Sequence, residues 1–415
     1  MRIIGYLILI AATVVGLGAI AGLFTGEGYL QSNMTQHVPW GLGVAMYIFF
    51  LGLSAGSFLL STLIYVFRVK KFEAAGPMAL LQALGCLMFG GFLILLDLGH
   101  PERAYKIITS FNPTSVMAWM GFFYNFYIAV VLAELYFALR VPLIKKAEAQ
   151  SNLKWLYGLL TLGSKGVDVS SIKRDRKWLF ILGIIGIPIA MIVHGGVGAI
   201  FAVAKARPGW FSGLFPIVFL VSALVSGGAL LTLLTAIFSK QPKMEKINLL
   251  QSLIQLTVGI LCFDLILTVS EILVAFYGNI PHEIISWKLM LFGQSWWIFW
   301  VIQVGLGIVA PIVLVVHPVT RKSVVGLGLA GLLVILGIVA VRYNIVVPAL
   351  LVPTFENLDK TYYHPRFALG YAPSIHEWLV SLGVISLAIW GLIIAEKILP
   401  LNSSLPVEGG QRNGK

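Results

Sequence analysis

Ten apolar runs, each long enough to cross a bilayer, dominate this 415-residue sequence. A helix needs about 20 apolar residues to span roughly 30 Å of hydrocarbon, and its backbone N–H and C=O groups must be paired within the segment. The apolar residues are continuous rather than alternating, which indicates helices. Only 11% of the residues are charged, against roughly 25% in a soluble domain. The sequence therefore predicts an all-α integral membrane protein and excludes a soluble enzyme. The runs are 3–24, 40–67, 76–97, 115–138, 178–203, 213–238, 247–277, 295–316, 323–341 and 374–396.

The first run permits a second interpretation. One positive charge precedes its apolar stretch, as in a secretory signal peptide, but no clean small-x-small cleavage site follows. A first membrane helix is the preferred prediction. Residues 1–400 then form a single transmembrane domain, and the Gly-, Ser- and Asn-rich segment 401–415 is predicted to be a disordered cytoplasmic tail.

The basic residues predict how the helices are oriented. Net charge is +12, and most of the 29 Lys and Arg residues fall in one set of alternate loops, above all in 139–177. Such a bias marks the cytoplasmic side of a membrane, so both termini are predicted to be cytoplasmic. The basic excess is thus a topology signal, with contacts to the lipid bilayer, and no nucleic acid partner is predicted. We expect a multi-pass protein of a prokaryotic plasma (inner) membrane.

A short internal similarity predicts two related bundles. Ser54-Ala55-Gly56-Ser57-Phe58-Leu59-Leu60 in the second run resembles Ser226-Gly227-Gly228-Ala229-Leu230-Leu231 in the sixth, an offset of 172 residues. The same offset carries Asp97 to position 269, two residues from Glu271. We expect a parallel repeat of two four-helix bundles, spans 2–5 (about 40–203) and spans 6–9 (about 213–341), with helices 1 and 10 flanking them.

Metal chemistry within this chain is not expected. Cys86 and Cys262 lie in separate apolar runs, whereas zinc and iron–sulfur sites need clustered ligands. Haem b needs axial ligands that face each other, and only His194 lies well inside a run. A haem b cytochrome stays an alternative that a visible spectrum would decide, and the prediction is no haem, iron–sulfur cluster or metal site.

Ionisable side chains inside the runs point to the functional region. Such residues are costly in lipid and usually serve function. With the predicted orientation, acids, histidines and one arginine from six helices converge on the outer half of the membrane. They are His37, Asp97, His194, Glu271, Arg342 (placed at the outer end of run nine), His376 and Glu377. A smaller inner group could be a proton half-path or helix-packing groups, and it comprises Glu134, Asp264 and His317.

Several segments together resemble the NrfD-like family, the membrane subunits of polysulfide-reductase-type complexes, and in particular its long ten-helix branch. That branch includes the alternative complex III membrane subunits and the DsrP-like proteins. In this sequence His100 stands where the family motif D-L-G-R-P-x-R has arginine. The segments are Val38-Pro39-Trp40-Gly41, 50–56, 97–103, 112–119, His194, 208–210, Ser226-Gly227, Ser270-Glu271, 276–279 and 371–374 with Glu377.

The resemblance implies a protein that binds quinone or quinol, either menaquinone or ubiquinone, and carries no metal of its own. It also implies an iron–sulfur subunit of the 4Fe-4S ferredoxin-like type docked on the outer face, with further molybdopterin or cytochrome c subunits. By the family motifs, the quinone pocket lies near the outer surface of the first bundle, with Ser54, Asp97 and His194 as its polar groups.

We therefore predict the quinone-reactive membrane anchor of a respiratory oxidoreductase, not active alone, with coupling to proton translocation left open. Asp97 and His194 would hold and deprotonate quinol, because a quinol O–H needs a hydrogen-bonded acceptor. His37 and Trp40 would complete the pocket, and Glu271 and Arg342 would tune the second bundle or relay protons. The outer loops 98–114 and 342–373 would dock the iron–sulfur partner. The alternative is a transporter or ion-translocating subunit without a redox role, against which no run is broken at mid-depth by paired Gly and Pro.

Overall fold

The computed structural model describes residues 2–25, 28–149, 153–207, 209–355 and 357–402. Within these ranges the chain is helical without strands, and ten helices are long and apolar enough to cross a membrane. The all-α membrane fold predicted from the apolar runs is thereby confirmed. The predicted tail lies, from residue 403, outside the described residues. The membrane helices, numbered in chain order, are α1 Arg2–Gly22, α2 Leu42–Tyr65, α3 Gly76–Asp97, α4 Val116–Ala149, α5 Val169–Ala202, α6 Phe215–Phe238, α7 Lys243–Tyr277, α8 Ile298–Val316, α9 Val324–Leu351 and α10 Ile375–Ile398.

Three helices extend well beyond the apolar runs that predicted them. Helix α4 continues to Ala149 and α9 to Leu351, while α5 begins at Val169, where the Asp168 side chain accepts a hydrogen bond from the Ser171 amide. Arg342, placed from the sequence at the end of its helix, therefore lies two thirds of the way along α9. The outer loop predicted for 342–373 is correspondingly shorter.

The two groups of four helices meet where α2 crosses α6. In the first group, α2 packs on α3 and α4 packs on α5. In the second group, α6 packs on α7 and α8 packs on α9. At the crossing, Gly56 of α2 lies against Gly227 of α6 so closely that a Cβ on either would overlap the opposite backbone. The two segments whose similarity suggested a repeat are thus the ones in contact. Small residues of this kind let membrane helices approach closely.

The flanking helices pair with each other. Gly16 of α1 lies against Gly383 of α10, and the Trp390 indole donates to the Thr13 hydroxyl. Helix α10 also packs on α3. This arrangement places the start of α10 beside the end of α3, where Asp97 lies.

Alternate helix ends gather at opposite faces of the molecule. The ends of α4, α6 and α10 lie together, since Lys240 pairs with Glu396 at 2.8 Å and Lys146 donates to the Ile398 carbonyl. We call this face, predicted to be cytoplasmic, the inner end. The opposite face, with Asp97, is called the outer end.

Helix α8 is the irregular one. Residues Ile298–Val309 form a π-helix, which passes into an α-helix at Ala310. Gly307 in this segment lies directly against Gly337 of α9. Expanded turns of this kind are rare and often mark functional positions. The sequence predicted a regular span here, because π-helical turns leave no signal in an apolar run.

Candidate functional site

Asp97 lies in a shallow cleft at the outer end, which we call the outer cleft. The ends of α2, α3 and α10 form it with the segment 29–34. A Cβ at Gly43 would lie 2.5 Å from the Asp97 carboxylate, so glycine leaves the room that the carboxylate occupies. Within the described part of the chain, Asp97 accepts no hydrogen bond. The polar lining residues are Tyr29, Ser32, Asp97, His376, Glu377 and Ser381.

Tyr29 fixes the end of α3 beneath this carboxylate. Its hydroxyl lies 2.7 Å from the Leu96 carbonyl and 2.6 Å from the Leu98 carbonyl. Burial, with the Asp97 carboxylate nearby, raises the pKa of Tyr29. The phenol therefore stays protonated and holds the backbone on both sides of Asp97.

Glu377, the second carboxylate of the outer cleft, is fully engaged. It accepts hydrogen bonds from the Tyr371 hydroxyl and, at 2.8 Å, from the Ser374 amide, and it completes a capping box that begins α10. The Asn33 amide binds it as well. Glu377 thus anchors the start of α10, whereas Asp97 keeps its lone pairs free. His376 beside it has a buried Nε2 with no partner among the described residues.

His194 lies deeper, in the first bundle. Its Nε2 donates to the Leu51 carbonyl at 2.7 Å, and Tyr127 packs edge-on against the ring at 5.9 Å. Because a carbonyl only accepts, Nε2 carries the proton and Nδ1 is the acceptor. That buried Nδ1 has no partner within the described ranges.

Arg342 lies at the junction of the two bundles. Its guanidinium is 1% exposed, donates to the Ser222 hydroxyl at 2.8 Å and lies over the Phe219 ring. No carboxylate lies within ion-pair distance in the described part of the chain, and Nε and Nη1 are buried there without a hydrogen-bond partner. On the side of the first bundle, a Cβ at Gly52 of α2 would lie 3.0 Å from its Nη2, so Arg342 lies between the two bundles.

The structure does not bring Asp97 and His194 to one point. Asp97 adjoins α2 at Gly43 and His194 adjoins it at Leu51, a difference of eight residues or about 12 Å along the helix. Ser54 lies deeper still, where its hydroxyl donates to the Ala83 carbonyl at 2.8 Å. The three residues therefore occupy successive levels along α2.

His37 and Trp40 belong to a separate cluster at the outer end. Arg207 donates to the His37 carbonyl, and burial together with this cation lowers the pKa of His37. Trp40 stacks on Trp210 at 5.5 Å and meets the edge of Phe201. His37 is therefore buried and Trp40 half-buried in packing beside the loop that precedes α6.

The inner group is also divided. Glu134 is completely buried in α4 with neither oxygen bonded to any described residue. Asp264 lies in the second bundle, and His317 is exposed at the inner end. These residues do not form one cluster.

Glu271 and Asp264 line a chamber of about 310 Å³ in the second bundle, which we call the second-bundle chamber. It lies between α6, α7, α8, α9 and a short helix, Pro281–Leu291. The sequence analysis missed its other polar residues, which are Ser212, Thr268, Glu283, Ser286, Gln303 and Asn344. Gln303 is an amide within the eighth apolar run, so that signal was available in the sequence, whereas Asn344 lies just beyond the ninth run.

No group of three or more His, Cys, Asp or Glu side chains that could hold a metal ion is present among the described residues. The sequence-based prediction that the chain holds no metal, haem or cluster stays a prediction.

Comparison with known proteins gives consistent matches along the chain. The family model described as "Polysulphide reductase, NrfD" matches residues 30–354. The chain is 41% identical to a selenate reductase subunit of Mesobacillus selenatarsenatis, over 94% of this chain and 93% of that protein. It is 26% identical to the Hdr-like menaquinol oxidoreductase integral membrane subunit of Archaeoglobus fulgidus, over 97% and 94%. It is 22% identical to the menaquinone reductase integral membrane subunit of Nitratidesulfovibrio vulgaris, over 90% and 86%.

Proposed function

Since the chain belongs to the NrfD family of polysulphide reductase membrane subunits, we propose that it is the quinone-reactive membrane anchor of a multi-subunit respiratory oxidoreductase. Two of its relatives are named for menaquinol or menaquinone, and a third for selenate reduction. For this chain the proposal is exchange of electrons between a menaquinone or ubiquinone pool and a partner subunit. The proposed setting is a prokaryotic inner membrane, with both termini cytoplasmic.

The observation that carries this proposal is the free carboxylate of Asp97 in a cleft bordered by membrane helices. Leu23, Leu93 and Val380 form the apolar side of the outer cleft. With a volume of about 40 Å³ the cleft itself does not enclose a ring, so a quinone ring would lie across its mouth with one oxygen toward Asp97. An apolar surface with few polar fixtures is typical of such sites.

Asp97 and His376 would handle the protons. Oxidation of a quinol releases two electrons and two protons, and reduction of a quinone consumes them. Asp97 would accept the first proton, because a carboxylate without hydrogen-bond donors keeps its lone pairs for the substrate. The free Nε2 of His376 can accept the second, while Glu377, held by its capping bonds, positions the start of α10.

The electrons would pass to an iron–sulfur subunit of the 4Fe-4S ferredoxin-like type docked at the outer end, with molybdopterin or cytochrome c subunits beyond it. The loop 98–114 follows Asp97 directly and exposes Tyr105 and Ile108, and the loop before α10 exposes Phe355 and Tyr363. Exposed apolar side chains grouped at one end of a protein are characteristic of a docking surface. The proposal therefore places the electron acceptor close to the outer cleft.

Substituting Asp97 with asparagine tests the proposed function. Since Asn keeps the shape but cannot accept the proton, we expect turnover of a quinol analogue by the assembled complex to fall by about 10²–10⁴-fold. Asp168→Asn is the matched control, because Asp168 is exposed at the other face and asparagine caps a helix equally well. Full turnover in assembled Asp97→Asn would contradict the proposal and favour an ion-translocating subunit without a redox role.

A charge placed on the outer docking surface tests the partner. Ile108→Asp should weaken co-purification of the iron–sulfur subunit, because Ile108 is 54% exposed in the loop beside Asp97 and would be buried by the partner. Met244→Asp, 69% exposed at the inner end, is the control and should leave the complex intact. Crosslinks to the partner that arise only from inner loops would overturn the docking proposal.

A further inference from the structure

The second-bundle chamber has the dimensions and walls of a ligand site. Its volume of about 310 Å³ lies at the lower end of the range of small-molecule pockets, roughly 300–1,000 Å³. Most of its lining side chains are apolar, and they include aromatic rings from α6, α8 and the short helix Pro281–Leu291. The larger apolar residues include Phe215, Val218, Trp287, Met290, Phe299 and Pro348.

Polar atoms without partners line this chamber. They are Asp264 Oδ1, Glu271 Oε1, Ser286 Oγ and Asn344 Oδ1, and none of them is hydrogen-bonded to any residue that the structure describes. Asp264, Ser286 and Asn344 are 7%, 4% and 7% exposed, so solvent outside the chamber does not reach them. Buried polar groups almost always find a partner. An occupant that offers hydrogen-bonding oxygens is therefore expected.

Water alone fits the chamber poorly. A water molecule takes about 30 Å³ in the liquid, so roughly ten would be needed, and each requires two to four polar partners. Most of the wall is apolar, so waters that face it would lack protein partners. Val274 and Phe211, which line the chamber, are 60% and 50% exposed. The chamber thus opens beside a membrane helix, where an amphipathic ring with an apolar tail can enter from lipid.

The polar atoms are arranged for a flat ring with oxygens at opposite edges. Asp264 and Glu271 are seven residues apart on α7, which places them on one face of the helix about 10.5 Å apart. Asn344 faces the chamber from α9, where its Nδ2 donates to Gln303 at 2.8 Å and its Oδ1 stays free. Carboxyl and amide groups thus lie at two depths of the chamber, with the apolar walls between them.

The position of the chamber also mirrors the first bundle. Glu271 lies two residues from the position that the 172-residue offset predicts for the counterpart of Asp97. Likewise, His194 of α5 bonds to α2 at Leu51, and Arg342 of α9 bonds to α6 at Ser222. Both bundles therefore place an acid on their second helix and a nitrogen-bearing side chain on their fourth.

We propose that the second-bundle chamber is a second binding site for a quinone or quinol ring, separate from the outer cleft, with Asp264, Glu271, Ser286 and Asn344 as its polar contacts. That the ring is a quinone rests on the proposed function. The chamber adds a site in the bundle to which the family resemblance assigned none.

A photoreactive azidoquinone and peptide mapping of the assembled complex test this proposal. Wild type should be labelled both in peptides of the chamber, around Trp287 and Phe299, and in peptides of the outer cleft. Ser286→Phe, which fills the chamber, should lower chamber labelling by at least about tenfold, the loss of one decade in affinity, and leave cleft labelling unchanged. Asp97→Asn should retain chamber labelling.

A second variant tests the proposal if the Ser286→Phe protein fails to assemble into the complex. Asn344→Leu keeps the side-chain volume but removes the amide, and it should also lower chamber labelling. Wild type labelled at the cleft but not in the chamber would overturn the second site alone, whereas labelling at neither would overturn the proposed function as well. Chamber labelling that neither variant lowers would likewise overturn the second site.

Discussion

Replacing Gly227 with alanine is expected to cause one of the largest losses of stability of any single methyl addition in this protein. A Cβ at this position would lie 2.3 Å from the Ser57 nitrogen and 2.4 Å from the Gly56 carbonyl carbon. Both atoms belong to backbone, so no rotamer change can relieve the overlap, and α2 and α6 must move apart. Overpacking a core costs typically about 1–3 kcal/mol, and a backbone-to-backbone overlap belongs at or above the upper end of that range.

A polar bridge would be broken by the same movement. The Gln82 amide of α3 donates to the Gly227 carbonyl at 3.1 Å and also to the Ser57 hydroxyl. Separating α2 from α6 would leave this buried amide short of a partner, which costs about 1–3 kcal/mol. Gly56→Ala should act in the same way, because its Cβ would lie 2.0 Å from the Ala223 carbonyl oxygen.

Thermal unfolding of the purified protein and the yield of assembled complex measure this prediction. Gly259→Ala on α7 and Gly85→Ala on α3 are matched controls, since nothing lies within 4 Å of a Cβ at either position. Because alanine favours a helix over glycine by roughly 0.5–1 kcal/mol, the controls should be neutral or slightly stabilised. A melting temperature for Gly227→Ala equal to that of the controls would show that the crossing is looser than described.

The sequence predicted the membrane helices because lipid leaves the backbone almost no alternative. Apolar runs must be helical to pair their N–H and C=O groups, and all ten runs are helices in the structure. The repeat inferred from the similarity between Ser54–Leu60 and Ser226–Leu231 stays a prediction, but both segments lie at a helix contact. The glycines in those segments are where α2 and α6 touch.

The positions of side chains that depend on contacts between helices could not be predicted from the sequence. Arg342 looked like the end of a span, because a charge usually stops an apolar run. Its helix nevertheless continues to Leu351, and inside the protein the guanidinium donates from Nη2 to Ser222 and lies over the Phe219 ring, while Nε and Nη1 have no partner among the described residues. In the same way, Asp97 and His194 were expected to share a pocket, yet they adjoin α2 two turns apart. Which face and level a side chain occupies depends on the crossing of neighbouring helices, and one sequence does not give that crossing.

The basic segment 139–177 shows most clearly that one sequence does not reveal which charged side chains are buried between helices. Its charges were assigned to a cytoplasmic loop with contacts to the lipid bilayer, yet Arg140 and Asp175 are 1% and 0% exposed. Arg140 donates to Asp175 Oδ2 at 2.8 and 2.6 Å from two nitrogens, and from the third to the Ser164 hydroxyl and the Gly166 carbonyl, both at 2.8 Å. The pair therefore joins α4 to α5 and holds the connection between them.

Arg140→Met is accordingly expected to destabilise the first bundle strongly. Removing one partner of a buried pair leaves the other charge uncompensated, which costs about 3–5 kcal/mol. Asp175→Asn should destabilise as well, because the guanidinium loses its counter-charge. Arg174→Met is the matched control, since Arg174 is 57% exposed and lies 3.9 Å from Asp175, and an exposed contact of this kind contributes about 0–1 kcal/mol.

A double-mutant cycle separates the pair from its surroundings. If Arg140 and Asp175 stabilise the protein through each other, the double variant Arg140→Met/Asp175→Asn should lose clearly less stability than the two single losses added, because neither charge is then buried alone. Unfolding by heat or denaturant, compared across the four proteins, gives the coupling. Strict additivity would mean that each residue acts through other contacts, with Ser164 and Gly166 as the first to test on the arginine side. Substantial coupling would instead mean that the ion pair closes the inner end of the first bundle.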